Sequence, residues 1–244
     1  MKTLEYKLHA NSREFIALEN KTAQLIRRDL LQNRNFYVSW SGGKDSTVVL
    51  DLVRQLKPSI TVMHIRSGYE LPDGYAYMLR LAKDWQLNLV EINTPVDYLQ
   101  LCEEFGLPHL RSKEIQKKVV SKIKKNPAKE WAIKNGYSGL FWGIRAQESI
   151  ARRNLARFKG GLFLDKNNIL RVSPIIDWTV KDIWAYYEFS GIPVNPIYLH
   201  ENCGMNRETI RNSGWLSTDG ETRGQLEWLK KNYQVQYRKI RELL

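Results

Sequence analysis

The chain has 244 residues, and its 38 lysines and arginines outnumber 26 aspartates and glutamates to leave a formal net charge of +12. That length buries a substantial core without covalent staples, and the two cysteines, Cys102 and Cys203, exclude a disulfide framework and a four-cysteine zinc site within one chain. No stretch reaches the roughly 20 apolar residues of a membrane span and the N-terminus lacks an apolar signal core, so the sequence reads as cytoplasmic with no membrane partner.

Asn11 to Gln32 places Phe15, Ile16, Leu18, Ala23, Leu25 and Ile26 at mostly helical spacing, with Asn11 or Ser12 as N-cap. A strand is expected over Phe36 to Trp40. It runs into Ser41-Gly42-Gly43-Lys44-Asp45-Ser46 and then into a helix carrying Val48, Val49, Leu52, Val53 and Leu56, which Lys57-Pro58 stops. A second strand, Ile60 to Ile65, is followed by Ser67-Gly68-Tyr69-Glu70-Leu71-Pro72 and a helix through Trp85. A third, Leu87 to Ile92, ends at Asn93-Thr94-Pro95, and a helix near Val96 to Phe105 follows. Beyond a basic stretch come strands at Leu140 to Ile144, Leu162 to Leu164 and Ile169 to Val172, then helices near Val180 to Ser190 and Gln225 to Leu243. This β-α-β-α-β rhythm with short connections implies an α/β fold with a doubly wound, mostly parallel sheet. The expected division is an N-terminal helical extension over 1–33, a nucleotide-type domain over 34–200 and a C-terminal loop and helix over 201–244.

The strand-to-helix junction carries the strongest chemistry. Adjacent Gly42 and Gly43 let the backbone adopt positive φ and approach a ligand with no Cβ in the way. The helix behind them aims its free N–H groups and positive dipole end at whatever binds there. Ser41, Ser46 and Thr47 add hydroxyls, Lys44 a point charge for phosphate oxygens, and Asp45 a ligand or water-mediated partner for Mg²⁺. Neither G-x-x-x-x-G-K-[ST] nor G-x-G-x-x-G is present here. The hexamer resembles instead the PP-loop of the ATP pyrophosphatases, which cleave ATP between its α and β phosphates.

At the end of the Leu140 strand, Gly143-Ile144-Arg145-Ala146-Gln147-Glu148-Ser149 offers Arg145 as a two-pronged clamp for an α phosphate. Arg152 and Arg153 could reach a second anionic group, or Glu148 and Arg152 could simply pair at i,i+4 on a surface helix. Thr179 and Asp182 have the spacing of a capping box. Arg111 to Lys134 sets Lys113, Lys117, Lys118, Lys122, Lys124, Lys125 and Lys129 around Ile115, Val119 and Ile123. That pattern suits either a nucleic-acid backbone or a solvated lysine face.

Four stretches together resemble the phosphoadenosine phosphosulfate (PAPS) reductase family of PP-loop proteins, which includes sulfate adenylyltransferase small subunits and DNA phosphorothioation ATP pyrophosphatases. They are Ser-Gly-Gly-Lys-Asp-Ser at 41, Ser-Gly-Tyr-Glu-Leu-Pro at 67, Gly-Ile-Arg-Ala-Gln-Glu-Ser at 143, and Pro-Ile-Ile-Asp-Trp-Thr-Val-Lys-Asp-Ile-Trp at 174 with Asn-Pro-Ile-Tyr at 195. The resemblance covers about residues 34 to 215. It implies ATP and Mg²⁺ as cofactors, Lys44, Asp45 and Arg145 as catalytic residues with Asp45 toward the metal, and Ser41, Gly42, Gly43, Ser46, Thr47, Gly68 and Arg152 around the nucleotide.

Departures from the family pattern narrow the expectation. The reductases are similar to one another in a loop lacking the lysine and in a C-terminal Glu-Cys-Gly, whereas this chain keeps Lys44 and Asp45 and ends Arg-Glu-Leu-Leu. The Asp-Thr-Gly usual after strand two is Arg66-Ser67-Gly68, and Gly214-Trp215-Leu216-Ser217-Thr218 stands where relatives carry Gly-Cys-x-x-Cys. The expected activity is adenylylation of an acceptor oxygen with release of pyrophosphate, in a sulfur-transfer pathway such as DNA phosphorothioation. Alternatives are a sulfate adenylyltransferase-like or PAPS reductase-like role in sulfur assimilation, or a non-catalytic nucleotide-sensing module. Expected partners are nucleic acid along Arg111 to Lys134 and a sulfur-donor protein such as a cysteine desulfurase; oligomeric state stays open, a homodimer included. Cys203, in His200-Glu201-Asn202-Cys203-Gly204, is either a persulfide carrier or a small buried hydrophobe.

Overall fold

The computed structural model describes residues 3–107, 111–200, 210, 212 and 224–243. Its centre is a six-stranded sheet in the order β3-β2-β1-β4-β6-β5, built from β1 (Phe36–Ser39), β2 (Thr61–Arg66), β3 (Asn88–Asn93), β4 (Gly139–Trp142), β5 (Leu162–Leu164) and β6 (Leu170–Val172). β1 pairs in parallel with β2 and with β4, and β4 pairs in parallel with β6. Only β5, among the registered pairs, runs antiparallel, against β6. The order reverses at β1, where the chain goes first to β2 and later to β4. Ligands of such sheets bind beyond the strand ends at that switch point.

Two compact units divide the chain: Met1–Met63, Ala82–Val90 and Ile133–Val194 form the first, and His64–Leu81, Glu91–Ala132 and Asn195–Leu244 the second. In the first unit, α1 (Thr3–Ala10) and α2 (Arg13–Leu30) precede β1, α3 (Lys44–Leu56) follows it, and α8 (Ile150–Lys159) and α9 (Val180–Ser190) follow β4 and β6. Ser12 caps α2 by accepting from the Phe15 N–H at 3.2 Å. Phe15 meets Trp178 edge-on at 5.9 Å, and the Trp178 indole donates to Thr22 Oγ1 at 3.0 Å, so the buried ring is satisfied at its polar edge. The capping box at Thr179 and Asp182 is formed as the spacing predicts. The sequence pattern does not announce α1: it packs on α9, stacking Tyr6 on Trp184 and pairing His9 Nε2 with Asp182 Oδ1 at 2.6 Å.

The second unit holds α4 (Pro72–Asp84) for most of its length, α5 (Tyr98–Phe105), α6 (Lys113–Val120), α7 (Asn126–Lys134) up to Ala132, α10 (Gln225–Asn232) and α11 (Gln234–Arg241). Leu101, Val119 and Ile123 form a buried cluster with Val96, Tyr98 and Phe105 packed against it. The basic stretch is not one regular helix, because Ser121–Lys125 winds as π-helix between α6 and α7. The single helix expected from Gln225 is two, broken at Tyr233. That residue is non-helical at φ −141° and ψ 66° while its hydroxyl donates to Asp73 Oδ1 at 2.7 Å.

α3 and α9 are joined through a buried carboxylate. Tyr186 donates to Asp51 Oδ2 at 2.9 Å, and Arg54 and Gln55 hold the same carboxylate at 2.8 Å each. A hydrogen bond to a charged acceptor contributes about 1.5–3 kcal/mol. Tyr186→Phe is therefore expected to lower stability by about that amount, read as a lower urea midpoint with an unchanged m-value; an unaltered midpoint would show the bond to be dispensable.

Candidate functional site

The loop after β1 and the segment after β4 lie at the carboxyl ends of neighbouring parallel strands. Gly42 takes φ +72°, and Gly43 stands at the N-cap of α3 with no side chain capping it. The Gly43 N–H itself donates to Ser41 Oγ at 3.4 Å, so the loop bonds to its own backbone at the start of α3. Inside the turn, Ser46 Oγ donates to the Gly43 carbonyl at 3.0 Å and lies 3.0 Å from Ser41 Oγ. Thr47 Oγ1 also donates to that carbonyl, at 3.0 Å, and accepts from the Trp40 indole at 3.0 Å. The Thr47 hydroxyl is fully buried, and both its donor and acceptor roles are filled within the loop.

Charge is concentrated on one carboxylate. Lys44 Nζ donates to Asp45 Oδ2 at 2.9 Å, and Arg145 Nε donates to Asp45 Oδ1 at 2.5 Å. Lys44 and Arg145 are each 3% exposed, so the group carries a net positive charge shielded from water. Burial works against the Asp45 carboxylate, but the charges of Lys44 and Arg145 and their hydrogen bonds outweigh it and hold its pKa below the ordinary value.

Approach of the two segments depends on Gly143. A Cβ there would lie 2.6 Å from both the Asp45 carbonyl carbon and the Ser46 nitrogen. Arg145 is fixed further by Gln147, whose Oε1 accepts from Arg145 Nη1 at 3.1 Å and from the Val180 N–H of α9 at 3.0 Å. The Ala146 N–H donates to the Ile176 carbonyl at 2.7 Å, so the Pro174 to Thr179 stretch braces the arginine segment. Glu148 Oε2 accepts from the Arg145 N–H at 2.9 Å and also pairs with Arg152. Sequence reasoning misses both Gln147 and Gly143 as working residues; a glycine at a strand end opposite a glycine loop is the available signal.

Of the expected site residues, Ser41 to Thr47, Arg145 and Arg152 come together in the first unit. Gly68 belongs to the second, where φ +82° and the nearness of Asp97 Oδ2, into which a Cβ would run, account for a glycine. Cys102 is buried against Arg111 Nη2 at 3.2 Å, and burial raises its thiol pKa despite that cation. Cys203 and Gly214 to Thr218 lie outside the described residues. Among the described residues no group of three or more His, Cys, Asp or Glu could hold a metal ion, and no helix is long and apolar enough to cross a membrane.

Two outcomes follow from this geometry. Asp45→Asn leaves two buried cations without their counter-charge, at a cost of about 3–5 kcal/mol. Because the folded-state pKa is depressed, Asp45 stabilises the fold above its unfolded pKa of about 4, and that contribution is lost as pH falls through the folded value. The gap between wild type and Asp45→Asn in urea unfolding should therefore be constant near neutrality and close on the acid side; a gap independent of pH down to full protonation contradicts the ion-pair account. Gly143→Ala forces the backbones apart and should destabilise by about 1–3 kcal/mol, measurable as a lower melting temperature. A melting temperature equal to wild type would show that the close approach is not required.

Residues 35–239 match the family model of the phosphoadenosine phosphosulfate reductase domain. An uncharacterized protein of Methanocaldococcus jannaschii is 28% identical over 199 residues, 80% of this chain, which spans about half of that protein's length (47%). Sulfate adenylyltransferase subunit 2 of Pseudomonas fluorescens is 26% identical over 223 residues, 82% of this chain and 70% of that protein. The fold is also that of PAPS reductase from Candida auris, with a TM-score of 0.57 at 17% identity over 76% of this chain and 90% of that one. FMN adenylyltransferase from Candida glabrata, solved in complex with ATP, gives 0.52 at 14% identity over 79% and 60%. A match that runs through both the loop after β1 and the arginine after β4 makes this chain a member of the phosphoadenosine phosphosulfate reductase domain family.

Proposed function

We propose that the chain binds ATP on the loop after β1 and transfers AMP to an acceptor oxygen, releasing pyrophosphate. The observation that carries this reading is the buried Lys44, Asp45 and Arg145 group beside an uncapped helix N-terminus. Two proteins that the chain resembles bear adenylyltransferase names, and one of them was solved with ATP.

In this reading an anionic acceptor oxygen attacks the α phosphorus in line. The new P–O bond forms as the bridging bond to the β phosphate breaks, and its electron pair leaves with pyrophosphate. The amides of Gly43 and the first turn of α3 hold the departing phosphates, and Lys44 balances their growing charge. Arg145 spans two α-phosphate oxygens with its planar fork, and Gln147 keeps that fork aimed. Ser41, Ser46 and Thr47 hold the shape of the cradle, and Arg152 faces a further anionic group. The turn at Gly68 is assigned to the nucleotide on its motif alone.

Mg²⁺ supplies charge stabilisation at the phosphates when bound. Asp45 suits a cation carried in by a nucleotide, since Mg²⁺ takes one or two carboxylates and completes its shell with phosphate and water. Both Asp45 oxygens are engaged by cations. Phosphate oxygens entering the site take over Lys44 and Arg145, which frees the carboxylate.

For the acceptor we favour nucleic acid awaiting sulfur insertion, with a sulfur-donor protein as partner, because the net charge of +12 suits a polyanion. Sulfate is the second reading, favoured by the likeness to sulfate adenylyltransferase subunit 2. Purified protein with ATP, Mg²⁺ and either DNA, RNA or sulfate should release pyrophosphate with at least one acceptor. Lys44→Ala or Arg145→Lys should lower that turnover on the order of 10²- to 10³-fold, with the melting temperature reporting on the fold. Nucleotide binding without pyrophosphate under every condition would replace the enzyme by a sensor.

A further inference from the structure

α8 follows directly on the Arg145 segment, and none of its ten residues is buried. Arg152, Leu155 and Ala156 are half-buried, which defines the inner side. Ile150, Arg153, Asn154, Arg157 and Phe158 are all exposed. They fall at i, i+3, i+4, i+7 and i+8, so they form one stripe along the helix. A stripe at this spacing that faces the core is ordinarily apolar, whereas this one sets two arginines and an asparagine between Ile150 and Phe158. It faces out, with Ile150 69% and Phe158 73% exposed.

Its chemistry is consistent along the length. α8 contains Arg152, Arg153, Arg157 and Lys159 and no acidic residue. Cations in the last turn are expected from the helix dipole, but Arg153 lies in the first half, where the dipole disfavours it. The Arg157 guanidinium lies over the Phe158 ring, 5.6 Å from its centroid, so a cation backs one face of an exposed aromatic. The lysine-rich α6 differs on this point. There Lys118, and Lys122 of the π-helical turn that follows, lie over Phe105 at 5.1 and 5.0 Å, and that ring is half-buried where Phe158 is exposed.

We infer that the outward stripe of α8 is a docking surface for single-stranded nucleic acid, with Arg153 and Arg157 on phosphates and Phe158 stacked on a base. Positive charge that tracks a backbone, interleaved with an exposed aromatic, is the combination that single strands require. An acidic protein partner would use the cations but gives no account of the exposed ring beside them. Contact with α8 bears on the site itself: Arg152 pairs with Glu148, and the same Glu148 oxygen accepts from the Arg145 N–H. The inference rests on the nucleic-acid reading of the acceptor.

The test is fluorescence anisotropy of a short labelled single-stranded DNA with the full chain and no ATP, so that turnover does not enter. Wild type should bind at low salt. Arg153→Glu with Arg157→Glu should weaken binding at least tenfold and flatten the log–log salt slope by about 1.4, two single-strand phosphate contacts at about 0.7 each. Phe158→Ala should weaken binding about tenfold at every salt concentration. Melting temperatures equal to wild type would show that these exposed substitutions leave the fold intact. Wild-type binding that both variants retain would overturn the α8 assignment and leave the nucleic-acid reading standing. No wild-type binding to DNA or RNA at low salt would overturn both, and pyrophosphate release with sulfate would then identify a small acceptor.

Discussion

Everything at the strand ends turns on one carboxylate shared by two cations. Lys44 and Arg145 are both removed from water, and neither charge could be buried there alone without a penalty of several kcal/mol. Asp45 makes the pair tolerable, yet it does so incompletely, since two positive charges face one negative. The residual charge has no counter-ion among these three groups. Both cations are thus already desolvated and oriented, and the cost of arranging them was met when the chain folded. The same carboxylate fixes sequence-distant segments to each other, since Arg145 arrives from the end of β4 and Asp45 from the start of α3. Close approach is possible because Gly143 has no side chain to hold the backbones apart.

What is legible in the sequence is what is local. The glycine loop between an apolar strand and a helix, the Ser12 cap and the Thr179 and Asp182 box each declare themselves within six residues, and each forms as expected. The Glu148 and Arg152 pair is also local, and it forms together with a contact to the Arg145 backbone, so the two readings of that stretch are not exclusive. Long-range effects stay hidden. α1 has only eight residues and little intrinsic reason to be a helix; Trp184 and Asp182, more than 170 residues away, hold it. No glycine or proline marks the break at Tyr233, which is set by Asp73 and by rings of Trp228 and His200 around it. Gln147 looks like an ordinary polar residue because its second partner, Val180, is 33 positions on. The π-helical turn within the lysine stretch has no periodic signature at all.

Sheet order explains why these pieces meet. Parallel strands point their carboxyl ends the same way, so the loops after β1 and β4 emerge side by side. β6 is the next strand over, and the segment that follows it supplies the Ile176 carbonyl and the Val180 N–H that hold the arginine segment. Three consecutive strands of the sheet thus contribute, in turn, the glycine loop, the arginine that pairs with Asp45 and the brace for that arginine. The stretch from Pro174 to Thr179, of which the sequence declares only the Thr179 and Asp182 cap, is architecture in the service of Arg145.

The cap of α9 carries this arrangement beyond the stretch matched to the family. Asp182 accepts from Thr179 at the mouth of the helix and from His9 of α1, while the neighbouring Val180 N–H reaches Gln147 and through it Arg145. The matched stretch begins at residue 35, so α1 and α2 both lie ahead of it. Yet a histidine in α1 stands only a few hydrogen bonds from Arg145. A flanking segment wired in this way becomes a heritable handle on the site: drift in α1 changes how firmly Arg145 is held without altering any residue that a ligand would touch.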